Sequence, residues 1–437
     1  MTTLRRTVRV VLDVLIGRLA QLLVLAFHRR VDVVNPERLR IDGPTLLVAN
    51  HANGFVDPAV VAASLRRVPR FVAKSTLWDF VVARPFLALA GVIPVYRRTD
   101  GATAGNVSTF RAIHDVLAAG GAVAVFPEGT SSDRPALEQL RTGAARMALG
   151  VVDRAPEITI LPIGLSFESK VEIRPAVAVF VGEPIHVHAW RRAEHPGAGE
   201  DDHDAVRALT TRIQDRLGAV SPEFASLDER LILRAAATVA ARETDRRMRP
   251  RFGDVEQIAR TLAERPDAVR ATVVDRYRDY ATRLSLIGLH EDDLETRAEF
   301  RQLARPGLSV AAVALAGPLM VTITLIHLPA LMAVRISTGA VRSHVKKGTT
   351  RLLVGLVAGP TTWIIAGVVL ADGWAAALTA VGVAVGGVIA LALWLPLFTL
   401  ARRVFGRLRM YDRRRLAEDS IADRDDVVRA VQSALAS

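Results

Sequence analysis

The sequence has no cysteine in 437 residues. That excludes disulfide cross-links, thiolate nucleophiles, thiolate metal sites and iron–sulfur clusters, and nothing in the cysteine usage points to secretion. Lysine is also scarce, occurring only at Lys74, Lys170, Lys346 and Lys347, so arginine carries almost all of a net charge of +12. Such a surplus favours contact with polyanions, whether nucleic acid, anionic lipid or phosphorylated substrate, without choosing among them. Aromatic residues are only 5% of the chain. The densest basic run, 246–251, has neither interleaved aromatics nor a nucleic-acid motif, so a solvated or headgroup-facing loop is expected there and no nucleic-acid partner.

Charge is missing from three stretches after Arg305: Pro306–Val334, Leu352–Ala371 and Trp374–Leu400. About 20 apolar residues cross a bilayer, so the second and third read as spans, with Trp374 and Trp394 suited to the interface. Pro318 and Pro329 interrupt the first, which is expected to enter and leave one face as a bent, re-entrant or interfacial element. The arginines and lysines flanking these stretches place the charged parts of the chain on the cytoplasmic side of an inner membrane. Near the N-terminus, residues 8–27 are apolar apart from Asp13 and Arg18, and no small-residue cleavage site follows. An interfacial helix is expected, not a signal peptide.

From about residue 42 to 185, short β-rich runs alternate with helical stretches. The runs are Thr45–Asn50, Arg70–Ala73, Val92–Tyr96, Ala122–Phe126, Ile158–Ile163 and Ala176–Val181. This alternation predicts an α/β domain with a mostly parallel sheet flanked by helices and active-site loops at the strand ends. The expected organisation is an interfacial region at 1–41, a catalytic domain at 42–190, a helical extension at 191–305, a hydrophobic membrane region at 306–401 and a basic, then acidic tail at 402–437.

The segment Leu46-Leu47-Val48-Ala49-Asn50-His51-Ala52-Asn53-Gly54-Phe55-Val56-Asp57-Pro58 carries the most information. A buried β-run ends in a polar loop that brings an imidazole close to a carboxylate, as a general base held in one tautomer requires. Pro58 suits a first helical turn, with Asp57 as its N-cap. Three blocks follow in order: Gly91-Val92-Ile93-Pro94-Val95-Tyr96-Arg97-Arg98, then Phe126-Pro127-Glu128-Gly129-Thr130-Ser131-Ser132-Asp133, then Ile160-Leu161-Pro162-Ile163-Gly164-Leu165. Each sets a turn or polar cluster after, or within, an apolar β-run.

Together these blocks resemble the glycerol-phosphate and lysophosphatidate acyltransferase family over about residues 42 to 185. With five residues between His51 and Asp57, the first block looks like the branch containing fungal glycerol-3-phosphate and dihydroxyacetone-phosphate acyltransferases. The resemblance implies that His51 takes the proton of an acceptor hydroxyl attacking an acyl thioester, while Asp57 orients the ring. It implies that Arg97 and Arg98 bind the acceptor phosphate, and that Asn53, Glu128, Gly129, Thr130 and Pro162 contact substrate. A structural role in the turn competes for Glu128, and sheet packing for Pro162. The implied acceptor is lysophosphatidate or glycerol 3-phosphate, with acyl-CoA or acyl carrier protein as donor and membrane lipid as partner. No cofactor and no metal are expected, because the His–Asp pair has no further ligand at usable spacing. Acylation of another polyol or glycolipid headgroup, or non-catalytic lipid binding, are the alternatives.

Overall fold

A computed structural model describes the chain apart from residues 1, 40–41, 66, 80–83, 97–105, 133, 170–171, 173, 246–249, 289–290, 292–305 and 391–413. It divides into two compact units, Met1–Phe224 and Ala225–Ser437.

The first unit is built on an eight-stranded sheet, numbered in chain order β1 (Arg30–Val34), β2 (Thr45–Ala49), β3 (Arg70–Lys74), β4 (Ile93–Val95), β5 (Ala122–Val125), β6 (Thr159–Phe167), β7 (Ala176–Val181) and β8 (Ile185–His186). Its spatial order is β1-β7-β6-β2-β5-β3-β4, with β8 also pairing β6. All pairings are parallel except those of β6 with β7 and with β8. The expected mostly parallel sheet is therefore present. All residues of β2, β5 and β7 are buried, as continuous apolar runs covered on both faces should be. β1 joins the sheet ahead of residue 42, through parallel register with β7 from Arg30↔Ala176 to Val34↔Phe180.

Helices connect and cover the strands: α1 (Thr2–Phe27), α2 (Val56–Ser64), α3 (Arg84–Ala90), α4 (Asn106–Ala118), α5 (Gly143–Leu149), α6 (Val187–Glu194) and α7 (His203–Gly218). Leu209, Ile213 and Leu217 of α7 are buried, and α7 packs against β6 and α5. His186 closes β8 and His188 lies in α6.

α1 turns Arg9 and Asp13 toward the rest of the domain. Asp13 forms two hydrogen bonds with Arg70 at 2.8 and 2.9 Å, and Arg9 donates to the carbonyls of Leu89 and Ala90. Val10, Val14, Leu15, Leu19 and Leu22 lie exposed. The stretch Val8–Phe27 is long and apolar enough to cross a membrane, yet α1 packs on α2 and α3. One face packs on the domain, and the other is exposed among the described residues.

The second unit holds α8 (Leu227–Asp245), α9 (Phe252–Ala263) and α10 (Asp267–Leu286), then the apolar helices α11 (Pro306–Ala340), α12 (His344–Leu370) and α13 (Trp374–Ala390), and finally α14 (Arg414–Ala436). Stretches of α11 and α12, Val321–Ala340 and Lys347–Leu370, are also long and apolar enough to cross a membrane. The re-entrant reading of 306–334 is corrected: α11 is one continuous helix that contains both Pro318 and Pro329. Neighbouring helices and side chains re-satisfy the backbone groups a proline frees, so a proline need not end an apolar helix. α11 packs closely along α12. Between them Trp363 Nε1–H donates to His327 Nε2 at 3.0 Å, which fixes the tautomer and leaves Nδ1–H to donate to the Ile323 carbonyl at 2.8 Å. Among α8, α9, α10 and α14 the core holds Leu233, Tyr280, Val427 and Val431, with the buried ion pair Arg234–Glu256.

Candidate active site

The site lies where β2 and β5 end. Beyond Ala49, the Asn50 side chain pins the chain to β6: its amide donates to the Leu165 carbonyl at 3.1 Å and accepts from Leu165 N–H at 2.6 Å. His51 follows at once, and the loop turns through Gly54, whose φ of +48° costs glycine little. α2 then begins at Val56. Asp57 is not the N-cap: that position is Phe55, and Asp57 lies inside the first turn with no exposed surface. From there it reaches back across the loop.

His51 Nδ1 lies 2.8 Å from Asp57 Oδ2, and the same oxygen accepts the Asn53 backbone N–H at 2.7 Å. The sequence-expected pair is thus brought together. The fully buried carboxylate favours a proton on Nδ1, leaving Nε2 as the basic nitrogen. His51 retains 20% exposure, and Nε2 bonds to no described residue. Phe126 fixes the ring plane by stacking at 4.3 Å between centroids and 21° between planes.

The loop after β5 clasps the histidine from both sides. His51 N–H donates to Glu128 Oε1 at 2.5 Å, while Ser132 N–H donates to the His51 carbonyl at 2.9 Å. Glu128 is 6% exposed. Burial pushes its carboxyl up to about 7, against the pull of the backbone N–H groups of His51 and Glu138. Its carboxylate is turned onto the His51 backbone, which is the structural role in the turn. Thr130 is exposed on the same turn. Gly129 has φ +76°, and a Cβ there would lie 2.7 Å from Arg141 Nε.

The remaining residues separate. Asn53 is 2% exposed, so it supports the loop through its backbone and offers little surface to a ligand. Pro162 is buried within β6, in register with Val48. It stands where β6 changes partner from β8 to β7, a place where a missing N–H is tolerated. Its carbonyl accepts Gly182 N–H at 2.9 Å. Its place in the sheet is that of a packing residue. Arg97 and Arg98 lie outside the described residues. Sequence reasoning missed Asn50, Phe126, Ser132 and Arg141. Lys74 was singled out only as one of few lysines, yet it closes β3 opposite Val95, at the strand ends.

Comparison with known proteins agrees with this geometry. Residues 30–166 match the family model described as Acyltransferase. Among curated proteins the chain is similar to "Glycerol-3-phosphate O-acyltransferase 2" of Saccharomyces cerevisiae, 31% identical over 30% of this chain and 18% of the relative. It is also similar to "Glycerol-3-phosphate O-acyltransferase 1" of that yeast, 32% identical over 26% of this chain and 15% of the relative. The alignments thus span under a fifth of either relative's length. A solved structure, the 1-acyl-sn-glycerophosphate acyltransferase PlsC of Thermotoga maritima, aligns with a TM-score of 0.36 and 16% identity, covering 49% of this chain and 82% of that one. Over residues 30–166, then, the chain is similar to the Acyltransferase family.

Proposed function

We infer that this protein moves a fatty acyl group from an acyl thioester, carried by coenzyme A or acyl carrier protein, to a hydroxyl of a glycerol-phosphate acceptor. One observation carries the reading: an imidazole held by a fully buried carboxylate at 2.8 Å, with its other nitrogen bonded to no described residue, at the strand ends of a domain that matches the Acyltransferase family model. His51 Nε2 takes the hydroxyl proton as the oxygen bonds to the thioester carbonyl carbon. The tetrahedral intermediate then expels the thiolate, which receives that proton from the imidazolium, so ester and free thiol form with no acyl-enzyme. Asp57 stabilises the imidazolium between the two steps. No metal or organic cofactor takes part, and Arg97 and Arg98, directly after β4, meet the acceptor phosphate.

Glycerol 3-phosphate is the first acceptor, because both curated relatives are named for its acylation. Lysophosphatidate is second, favoured by the exposed apolar face of α1, which suits a lipid surface from which an amphiphile is drawn. The protein is placed at the cytoplasmic membrane with this domain in the cytoplasm, following the arginine-rich flanks of the apolar helices. The test is release of free thiol from palmitoyl-CoA by the full chain in detergent, with each acceptor in turn. Thiol release above the acceptor-free rate with either acceptor supports the reading. No release with either refutes it.

A further inference from the structure

We propose that Arg141 binds the phosphomonoester of the acyl acceptor and so determines specificity in the reaction inferred above, on which the assignment rests. Two arginines flank the loop that follows β5 and clasps His51. Arg134 is engaged, with Nε 3.1 Å from Glu138 Oε1 and NH1 donating to Glu138 Oε2 at 3.1 Å. Arg141 is exposed, and its guanidinium makes no hydrogen bond or ion pair with any described residue. It does not hang free of the site. Its backbone N–H donates to the Pro127 carbonyl at 2.9 Å, and its side chain runs across Gly129 so closely that a Cβ there would meet Nε at 2.7 Å and Cδ at 3.0 Å. Gly129 directly follows Glu128, whose carboxylate holds the His51 backbone.

The general base and an unneutralised planar cation are therefore mounted on one turn. A glycerol-phosphate acceptor needs this pairing: the hydroxyl must meet the base while the phosphate, a short carbon chain away, carries about −1.5 to −2 charges at neutral pH. A guanidinium matches phosphate oxygens in bidentate fashion, which an ammonium cannot. The unblocked space over Gly129 lets the cation lie beside the base loop.

The experiment compares wild type, Arg141→Ala and Arg141→Lys as full chains in detergent, with palmitoyl-CoA as donor and glycerol 3-phosphate or unphosphorylated glycerol as acceptor. Loss of charge-assisted hydrogen bonds to phosphate should raise the glycerol 3-phosphate KM by ~10–100-fold in Arg141→Ala. The rise should be smaller in Arg141→Lys, the palmitoyl-CoA KM should stay within about twofold, and slow transfer to glycerol should not change. A rise confined to the donor KM would move Arg141 to coenzyme A phosphates and overturn the assignment. Equal loss with glycerol would reduce Arg141 to a prop of the turn, and an unchanged acceptor KM would remove it from the site. Wild type inactive on every phosphorylated acceptor would sink the reaction itself, whereas an active wild type matched by Arg141→Ala sinks this assignment alone.

Discussion

Replacing Asp57 by asparagine keeps the shape of the site and removes one charge. Oδ2 accepts from both His51 Nδ1 and the Asn53 backbone, whereas Oδ1 is buried with no hydrogen-bond partner. An asparagine therefore orients its oxygen toward the two donors and buries its NH2 group where Oδ1 was. Two costs follow, and they separate. A buried unpaired donor destabilises the fold by about 1–3 kcal/mol. The reaction loses the attraction between carboxylate and imidazolium, about 4 kcal/mol for unit charges ~4 Å apart at an effective dielectric constant of ~20. At about 1.4 kcal/mol per tenfold change, that is a fall of ~1,000-fold in kcat. The acceptor and donor KM should stay near wild type, because Asp57 has no surface to offer a ligand. The assay is steady-state thiol release from palmitoyl-CoA at saturating acceptor, paired with a thermal melt that establishes the folded fraction. A folded Asp57→Asn protein with kcat within tenfold of wild type would refute the base-and-orienter mechanism.

Glu128 supplies a pH test with a definite sign. Its carboxyl moves from an ordinary 4.5 to about 7 in the folded protein, so the folded state holds a proton that the unfolded state has released between those values. Stability from this group is full at low pH and declines as pH rises to about 7. Glu128→Gln keeps an acceptor for His51 N–H without the titration, so its stability relative to wild type should climb by roughly 3 kcal/mol from pH 5 to pH 8. Denaturant melts giving a flat or falling difference would contradict this. Removing metals by dialysis against a chelator should leave activity within twofold; loss restored by zinc would refute metal-free chemistry. Because α10 and α14 pack in one bundle on either side of the apolar helices, the chain should leave the membrane on the face where it enters. Cysteines introduced singly at exposed positions test this: Asp275→Cys in α10 and Ser433→Cys in α14 should both label only after permeabilisation. Labelling of one from outside and the other only after permeabilisation would overturn that topology.

Much of the catalytic sheet was legible because its strands are short apolar runs ended by polar loops, and β7 runs from Ala176 to Val181, the limits read from the sequence. β1 escaped because Arg30 and Asp32 break its apolar run. The reversal of β7 and β8 against β6 escaped because strand direction leaves no mark on side-chain periodicity. At the site, the His51–Asp57 pair was visible because an imidazole and a carboxylate stand close together in one strand-end loop, and the structure brings them to 2.8 Å. The structural contacts of Glu128, which accepts the His51 backbone N–H, and of Asn53, whose backbone N–H donates to Asp57, escaped because no motif displays a contact made through backbone groups. Phe126 was quoted within its block without a role, since an aromatic beside a histidine is informative only once the ring geometry is known. The prolines of α11 misled for a related reason: a helix-breaking residue is judged locally, while the neighbour that tolerates it is distant in sequence.

The return of α14 to α8 and α10 also sets an order of events during synthesis. Val427 and Val431 are fully buried, and Arg424 bridges Glu243 and Glu291 at 3.0 and 3.1 Å. A bundle lacking these groups leaves Glu243 and Glu291 without this cation. It cannot close when α8, α9 and α10 leave the ribosome, because its last member is translated only after every apolar helix. The bundle therefore closes like a clasp only after every apolar helix has been made, so that a chain cut after residue 413 should keep an open, protease-sensitive helical unit.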